Sequence, residues 1–193
     1  MLVLVRHGQA TANAAGLLLG RSDVPLTATG EAEVAALAGR LGPVQRLVSS
    51  PLRRAVDTAE ALGLRLPVEI DDRWVEIDYG EHEGRPLGDM PAEIWRRWRT
   101  DPEFRPVGGE SLADVGRRVR AACEEFLVEP DGPARRGDDV VVVSHVSPIK
   151  AAVAWALGTD DGLAWRLHLS TASITRIAWE GDGPVVHCFN WVP

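Results

Sequence analysis

Two uninterrupted apolar runs, LVLV at 2–5 and VVVV at 140–143, constrain the fold of this chain more than any other feature. Each is too short for a buried helix, and β-branched residues without polar alternation suit a strand covered on both faces. Strands of that kind belong to parallel sheets whose crossover helices pack on either side. The intervening sequence carries such helices. After Thr27, residues Val34, Leu37, Ala38 and Leu41 recur at helical spacing and end at Gly42-Pro43. A second strand is read at 46–49, with Ser50 as N-cap and Pro51 at the first position of a helix bearing Leu52, Ala55, Val56, Ala59 and Leu62. Ser111 caps a helix with Leu112, Val115, Val119, Ala122, Cys123 and Phe126 on one face. Ser147-Pro148 repeats the cap and first-position pair before Ile149, Ala152, Val153 and Ala156. Residues 173–179 and 184–189 read as a terminal hairpin, and 129–139 as a charged surface turn. The expectation is a single-domain, three-layer α/β fold with a mostly parallel sheet. Residues 72–110, irregular apart from a helix near 91–99, are expected to be a lid over the site.

Composition narrows the chemistry. At 193 residues, 45% apolar and 25% charged, the chain has enough core to fold without disulfides or a metal. No run of about 20 apolar residues is present to span a bilayer, and no signal-peptide core, so a soluble, cytoplasmic protein is expected. Cys123 and Cys188 lack metal-site or redox spacing and are expected to be buried thiols. A net charge of −7 without a basic cluster argues against a nucleic-acid partner. The single lysine, Lys150, follows Ile149 rather than a P-loop glycine, and no GxGxxG, GxSxG or HExxH segment occurs.

In parallel α/β sheets, ligands bind beyond the carboxyl ends of the strands. Those ends carry Arg6-His7-Gly8, Ser50 to Arg54, and Ser144-His145. Arginine forks and helix N-termini both bind phosphate oxygens, so this edge is an anion pocket. Phosphoryl transfer needs charge stabilisation and an in-line nucleophile, and a neutral imidazole beside arginines is one.

The same residues carry a family resemblance. LVRHGQATAN at 4–13 resembles the signature of the histidine phosphatase superfamily, the phosphoglycerate mutase-like fold, and further blocks follow in family order. These are DVPLTATG at 23–30, SSPLRRAVDTA at 49–59, EIDYGEHEG at 76–84, GGES at 108–111 and VVSHVSPIK at 142–150. The last is similar to the form found in alpha-ribazole phosphatase-like members. The resemblance implies that His7 becomes phosphorylated, that Arg6, Arg54 and His145 enclose the phosphoryl group, and that Glu76 is the acid and base. A carboxyl near an apolar loop suits that last role, because it can hold a proton. Asn13, Thr11 and the Val146 backbone N–H are implied as substrate-binding groups. Thr11 sits one place later than the family's threonine, with Ala10 in its position, and Val146 replaces a glycine.

The implied function is metal-independent phosphomonoester hydrolysis, of the histidine acid phosphatase type, on a small metabolite with no cofactor; a homodimer is compatible with it. A cofactor-dependent phosphoglycerate mutase and a silent phosphate-binding domain are the alternatives. The segment between Gly84 and Gly108 contains no lysine, which argues against a mutase-like clamp on a carboxylate. His82 with Asp78 is set aside as a metal site, Arg53 is expected on the surface, and His168 and His187 are read as structural. Trp95 and Trp98, interleaved with Arg96, Arg97 and Arg99, suit either a lid lining or an amphipathic helix with a solvated basic face.

Overall fold

The computed structural model describes residues 1–129, 131–134 and 138–193, so the charged turn expected at 129–139 falls partly outside the described residues. The strands are β1 (Leu2–Arg6), β2 (Arg46–Ser49), β3 (Val68–Ile70), β4 (Val140–Ser144), β5 (Ile174–Glu180) and β6 (Gly183–Trp191). The helices are α1 (Thr11–Ala14), α2 (Ala28–Ala35), α3 (Arg53–Ala61), α4 (Ala92–Thr100), α5 (Leu112–Cys123) and α6 (Val146–Ala156).

The sheet runs in the order β3-β2-β4-β1-β5-β6. β3, β2, β4 and β1 are parallel, and the β5–β6 hairpin joins antiparallel to β1. β1 and β4 are therefore central, as their unbroken apolar runs require. The two-residue period of a strand divides those runs between two cores. Leu2, Leu4, Val140 and Val142 pack with α5 and α6 residues such as Val115, Val119 and Ile149. Val3, Val5, Val141 and Val143 face Val34 of α2, and Ala55 and Ala59 of α3. This is the expected three-layer arrangement.

Within residues 72–110, Trp74 and Ile77 enter the larger core, while Met90, Trp98 and Phe104 form a smaller cluster with Leu18. Trp98 is buried at its centre, and Trp95 packs edge-on against Trp165. Arg96 is exposed and paired with Glu93, and Arg97 lies over the Phe104 ring. α4 is thus an amphipathic helix with a solvated basic face.

Three local readings are corrected. β3 was not expected, because a strand of three residues with an exposed outer half carries no pattern. The helix after Thr27 ends at Ala35 rather than Leu41. Ser50 and Ser147 cap no helix: α3 begins after Leu52 and α6 after His145, and both serines are drawn into the site described below. Thr27, by contrast, accepts from the Gly30 N–H, and Ser111 forms a full capping box with Asp114.

Ser111→Ala removes the acceptor for the Asp114 N–H and should cost about 1 kcal/mol. Urea unfolding of the variant checks this, and a loss within error of zero would mean that the cap contributes nothing.

Candidate active site

Parallel pairing of β1 with β4 sets Arg6 opposite Ser144, so the next residue of each strand, His7 and His145, emerges side by side at the carboxyl edge. Their ring centroids are 5.0 Å apart with the planes tilted by 58°. Gly8 follows because α2 crosses here: a Cβ at Gly8 would stand 2.5 Å from the Gly30 carbonyl oxygen.

The His7 tautomer is defined by its partners. Nδ1 lies 2.7 Å from the Gly8 carbonyl, which can only accept, so Nδ1 carries the proton. Nε2 therefore holds the lone pair and accepts from the Arg54 Nε–H at 3.3 Å. Burial above all, then the Arg6 and Arg54 charges, holds the His7 pKa well below the usual imidazole value. His145 is pushed the same way by burial, followed by Arg54, His7, Arg6 and Arg118. Its Nε2 is 2.7 Å from the Ser50 hydroxyl, and its Nδ1 has no partner among the described residues.

Arg54 is fully buried and held by carbonyls, donating from Nη1 to Ser22 and from Nη2 to Gly20. No carboxylate pairs with it among the described residues, and burial lowers its pKa to about 10. Arg6 donates to the Leu169 carbonyl at 2.6 Å, and its buried Nε has no partner among the described residues. Two guanidiniums, Arg54 buried and Arg6 partly so, with no ion pair among the described residues, make a site that favours an anion.

Glu76 is the acidic member. Its Oε1 accepts from the Ile77 and Ser147 N–H groups and its Oε2 from the Val146 N–H, at 2.8, 3.1 and 3.0 Å. Two of those donors belong to the first turn of α6. That helix end holds the protein's own carboxylate, so the Val146 N–H expected to bind substrate is already committed. The expected apolar setting for Glu76 is corrected too: backbone N–H groups surround its oxygens. Arg118 braces this loop by donating to the Arg73 and Glu76 carbonyls while ion-paired to Glu110.

The structure thus brings His7, His145, Arg6, Arg54 and Glu76 together. Thr11 is exposed, and Asn13 uses its Oδ1 to accept from the Ala10 N–H; neither bonds to either histidine. Arg53 is exposed and pairs with Asp57, as expected. His187 pairs with Glu180 across the hairpin. His82 is buried edge-on against Trp98, and no cluster of three metal-ligating residues occurs among the described residues. Cys123 is buried, whereas Cys188 is only half-buried.

Sequence reasoning missed Ser50, Thr58 and Glu83. Thr58 accepts from the Gly8 N–H and donates to the Arg54 carbonyl. The Glu83 carboxylate accepts from the Gly20 and Ser22 N–H groups, fixing the two residues whose carbonyls hold Arg54. All three lie inside the quoted motif blocks, which was the available signal.

Residues 2–192 match the family described as the histidine phosphatase superfamily, branch 1. A bifunctional protein of Mycobacterium tuberculosis is 40% identical over 190 residues, covering 94% of this chain and 51% of that protein. The chain therefore spans about half the length of that relative. A glucosyl-3-phosphoglycerate phosphatase of Mycolicibacterium vanbaalenii is 38% identical over 166 residues, covering 81% of this chain and 74% of its own. Among solved structures, a mycobacterial glucosyl-3-phosphoglycerate phosphatase in complex with VO3 superposes with a TM-score of 0.87 at 31% identity, covering 98% of both chains. An alpha-ribazole phosphatase from Shigella flexneri gives 0.83 at 25% identity, covering 98% of this chain and 96% of its own.

The buried neutral rings carry a pH signature. Once unfolded, both histidines bind protons near the ordinary value of 6.5, whereas the folded rings stay neutral to lower pH. The unfolded chain then holds more protons, so this contribution is complete above about pH 6.5 and is lost as pH falls toward the lowered folded values. Each ring contributes at most about 1.4 kcal/mol per pH unit. Urea unfolding at pH 7.5 and 5.5 should show a smaller acid loss in His145→Gln than in the wild type. Equal losses would show that His145 is not held neutral.

Proposed function

The chain belongs to the histidine phosphatase superfamily, and we propose that it is a metal-independent phosphomonoesterase of the histidine acid phosphatase type, acting on a small phosphorylated metabolite. The observation that carries this reading is the His7 ring: buried, proton on Nδ1, and Nε2 presented beside Arg54. An ester phosphate accepts hydrogen bonds from Arg6 and Arg54, which offset its charge as His7 Nε2 forms a bond to phosphorus and the P–O bond to the alcohol breaks. Glu76 carries a proton on Oε2, which among the described residues accepts only the Val146 N–H, and gives it to the departing oxygen. Water then enters, Glu76 removes its proton, and the resulting hydroxide breaks the P–N bond, freeing inorganic phosphate and neutral His7. His145, steadied by Ser50, donates to a phosphoryl oxygen. Asn13, through its amide NH2, is the remaining nearby donor for substrate.

Similarity to phosphatases at 38% and 31% identity supports hydrolysis over mutase chemistry; the lid, residues 72–110, adds no free basic clamp of its own. It presents no lysine, and Arg96, Arg97 and Arg99 are engaged with Glu93, Phe104 and Trp165. Completeness of the five-residue site speaks against a silent binding domain.

A reaction quenched on the millisecond scale, run with chelator present, should yield an acid-labile, base-stable phosphoenzyme, and His7→Ala should abolish both it and turnover. Substantial activity in folded His7→Ala would overturn the mechanism.

Glu76→Gln keeps the shape of the side chain but removes the transferable proton. General acid help is typically worth about 10²–10⁴-fold. The loss should approach that range on alkyl phosphates and be much smaller on p-nitrophenyl phosphate, whose leaving group hardly needs a proton. Equal losses on both would remove Glu76 from the acid role.

A further inference from the structure

Beside the phosphoryl site lies a mostly apolar pocket of about 70 Å³ with Tyr79, Trp98 and Trp165 on its walls. It adjoins the reaction centre: Val146 and Ser147, whose N–H groups hold Glu76, line it, as does Ile77, the next residue after Glu76. The one lysine of the chain opens onto this pocket. Lys150 projects from α6 and donates to the Ala164 carbonyl at 2.9 Å. An ammonium has three donors, so two remain. No carboxylate lies within ion-pair distance of it among the described residues. Glu76 acts on it electrostatically but is already tied to three N–H groups. Burial lowers the Lys150 pKa, the mark of a charge held away from water without full compensation.

Resting on the phosphatase reading above, we infer that this pocket takes the alcohol part of the substrate and that Lys150 selects esters whose alcohol part carries a carboxylate. One cation suits one monovalent anion. A pocket of this size suits a short hydroxy acid. The lid's lack of lysine is therefore no bar to carboxylate recognition, because the cation comes from α6, on the opposite wall. A purely structural Lys150, pinning the 161–166 turn through Ala164, would not distinguish one substrate from another.

The test compares 3-phosphoglycerate with glycerol 3-phosphate, which differ only in carboxylate against hydroxymethyl. The wild-type chain should favour 3-phosphoglycerate in kcat/KM by about tenfold to a hundredfold, as expected for one charge-assisted hydrogen bond. Lys150→Met should collapse that ratio mainly through KM, and Lys150→Arg should retain part of it. Calorimetric binding of the two esters to His7→Ala and to His7→Ala/Lys150→Met reads the same preference without turnover. No preference in the wild type, or one that survives Lys150→Met, overturns the inference. If no monoester is hydrolysed at all, the phosphatase reading falls, and the calorimetric ratio alone decides the role of Lys150.

Discussion

The arrangement of this site depends on one costly interaction, the burial of the Arg54 guanidinium against a neutral imidazole. A buried charge without an ion partner is unfavourable unless its donors are satisfied. Here they are satisfied by carbonyls of Gly20 and Ser22 and by His7 Nε2, none of which cancels the charge. The residual positive potential is what an incoming phosphate dianion finds. Keeping those carbonyls in place requires Glu83 to hold the Gly20–Ser22 backbone from the other side. Asp23 just beyond accepts from the Arg53 N–H at the start of α3. A chain of contacts thus links residues near 20, 54 and 83 to the nucleophile, although only His7 and Arg54 among them face the reaction.

That chain explains how the fold and site were legible in the sequence. β1 and β4 could be read because burial on both faces leaves an unbroken apolar run, and the Ser111 cap because its partner Asp114 is local. His7, His145 and Arg54 could be placed from strand ends alone, since parallel register carries strand ends to a common edge. Glu76 could not, because its position comes from a loop that pairs with nothing in the sheet; only the family resemblance pointed to it.

The misread serine caps share a cause. Ser50-Pro51 and Ser147-Pro148 both look like helix starts, and both serines lie near helix starts in space. A serine hydroxyl takes whichever partner tertiary structure offers, and for Ser50 that partner is His145. Ser147 contributes its backbone N–H to Glu76. Local sequence does not record that choice. The same holds for the Val146 N–H, which α6 turns toward Glu76 rather than toward an open anion site.

The central position of β1 also bears on how the chain assembles. β1 is flanked by β4 and β5, so it gains neither neighbour until residues 140–180 exist. Contacts so far apart in sequence close slowly, because loop entropy is lost before pairing compensates it. On the ribosome, α2, β2, α3 and β3 emerge with no strand to pair with LVLV at 2–5, which leaves an exposed apolar face of the kind that chaperones bind. His7 is made well before His145, yet the burial that keeps its ring neutral waits for β4 and β5, so a nascent chain that lacks them has no reactive histidine.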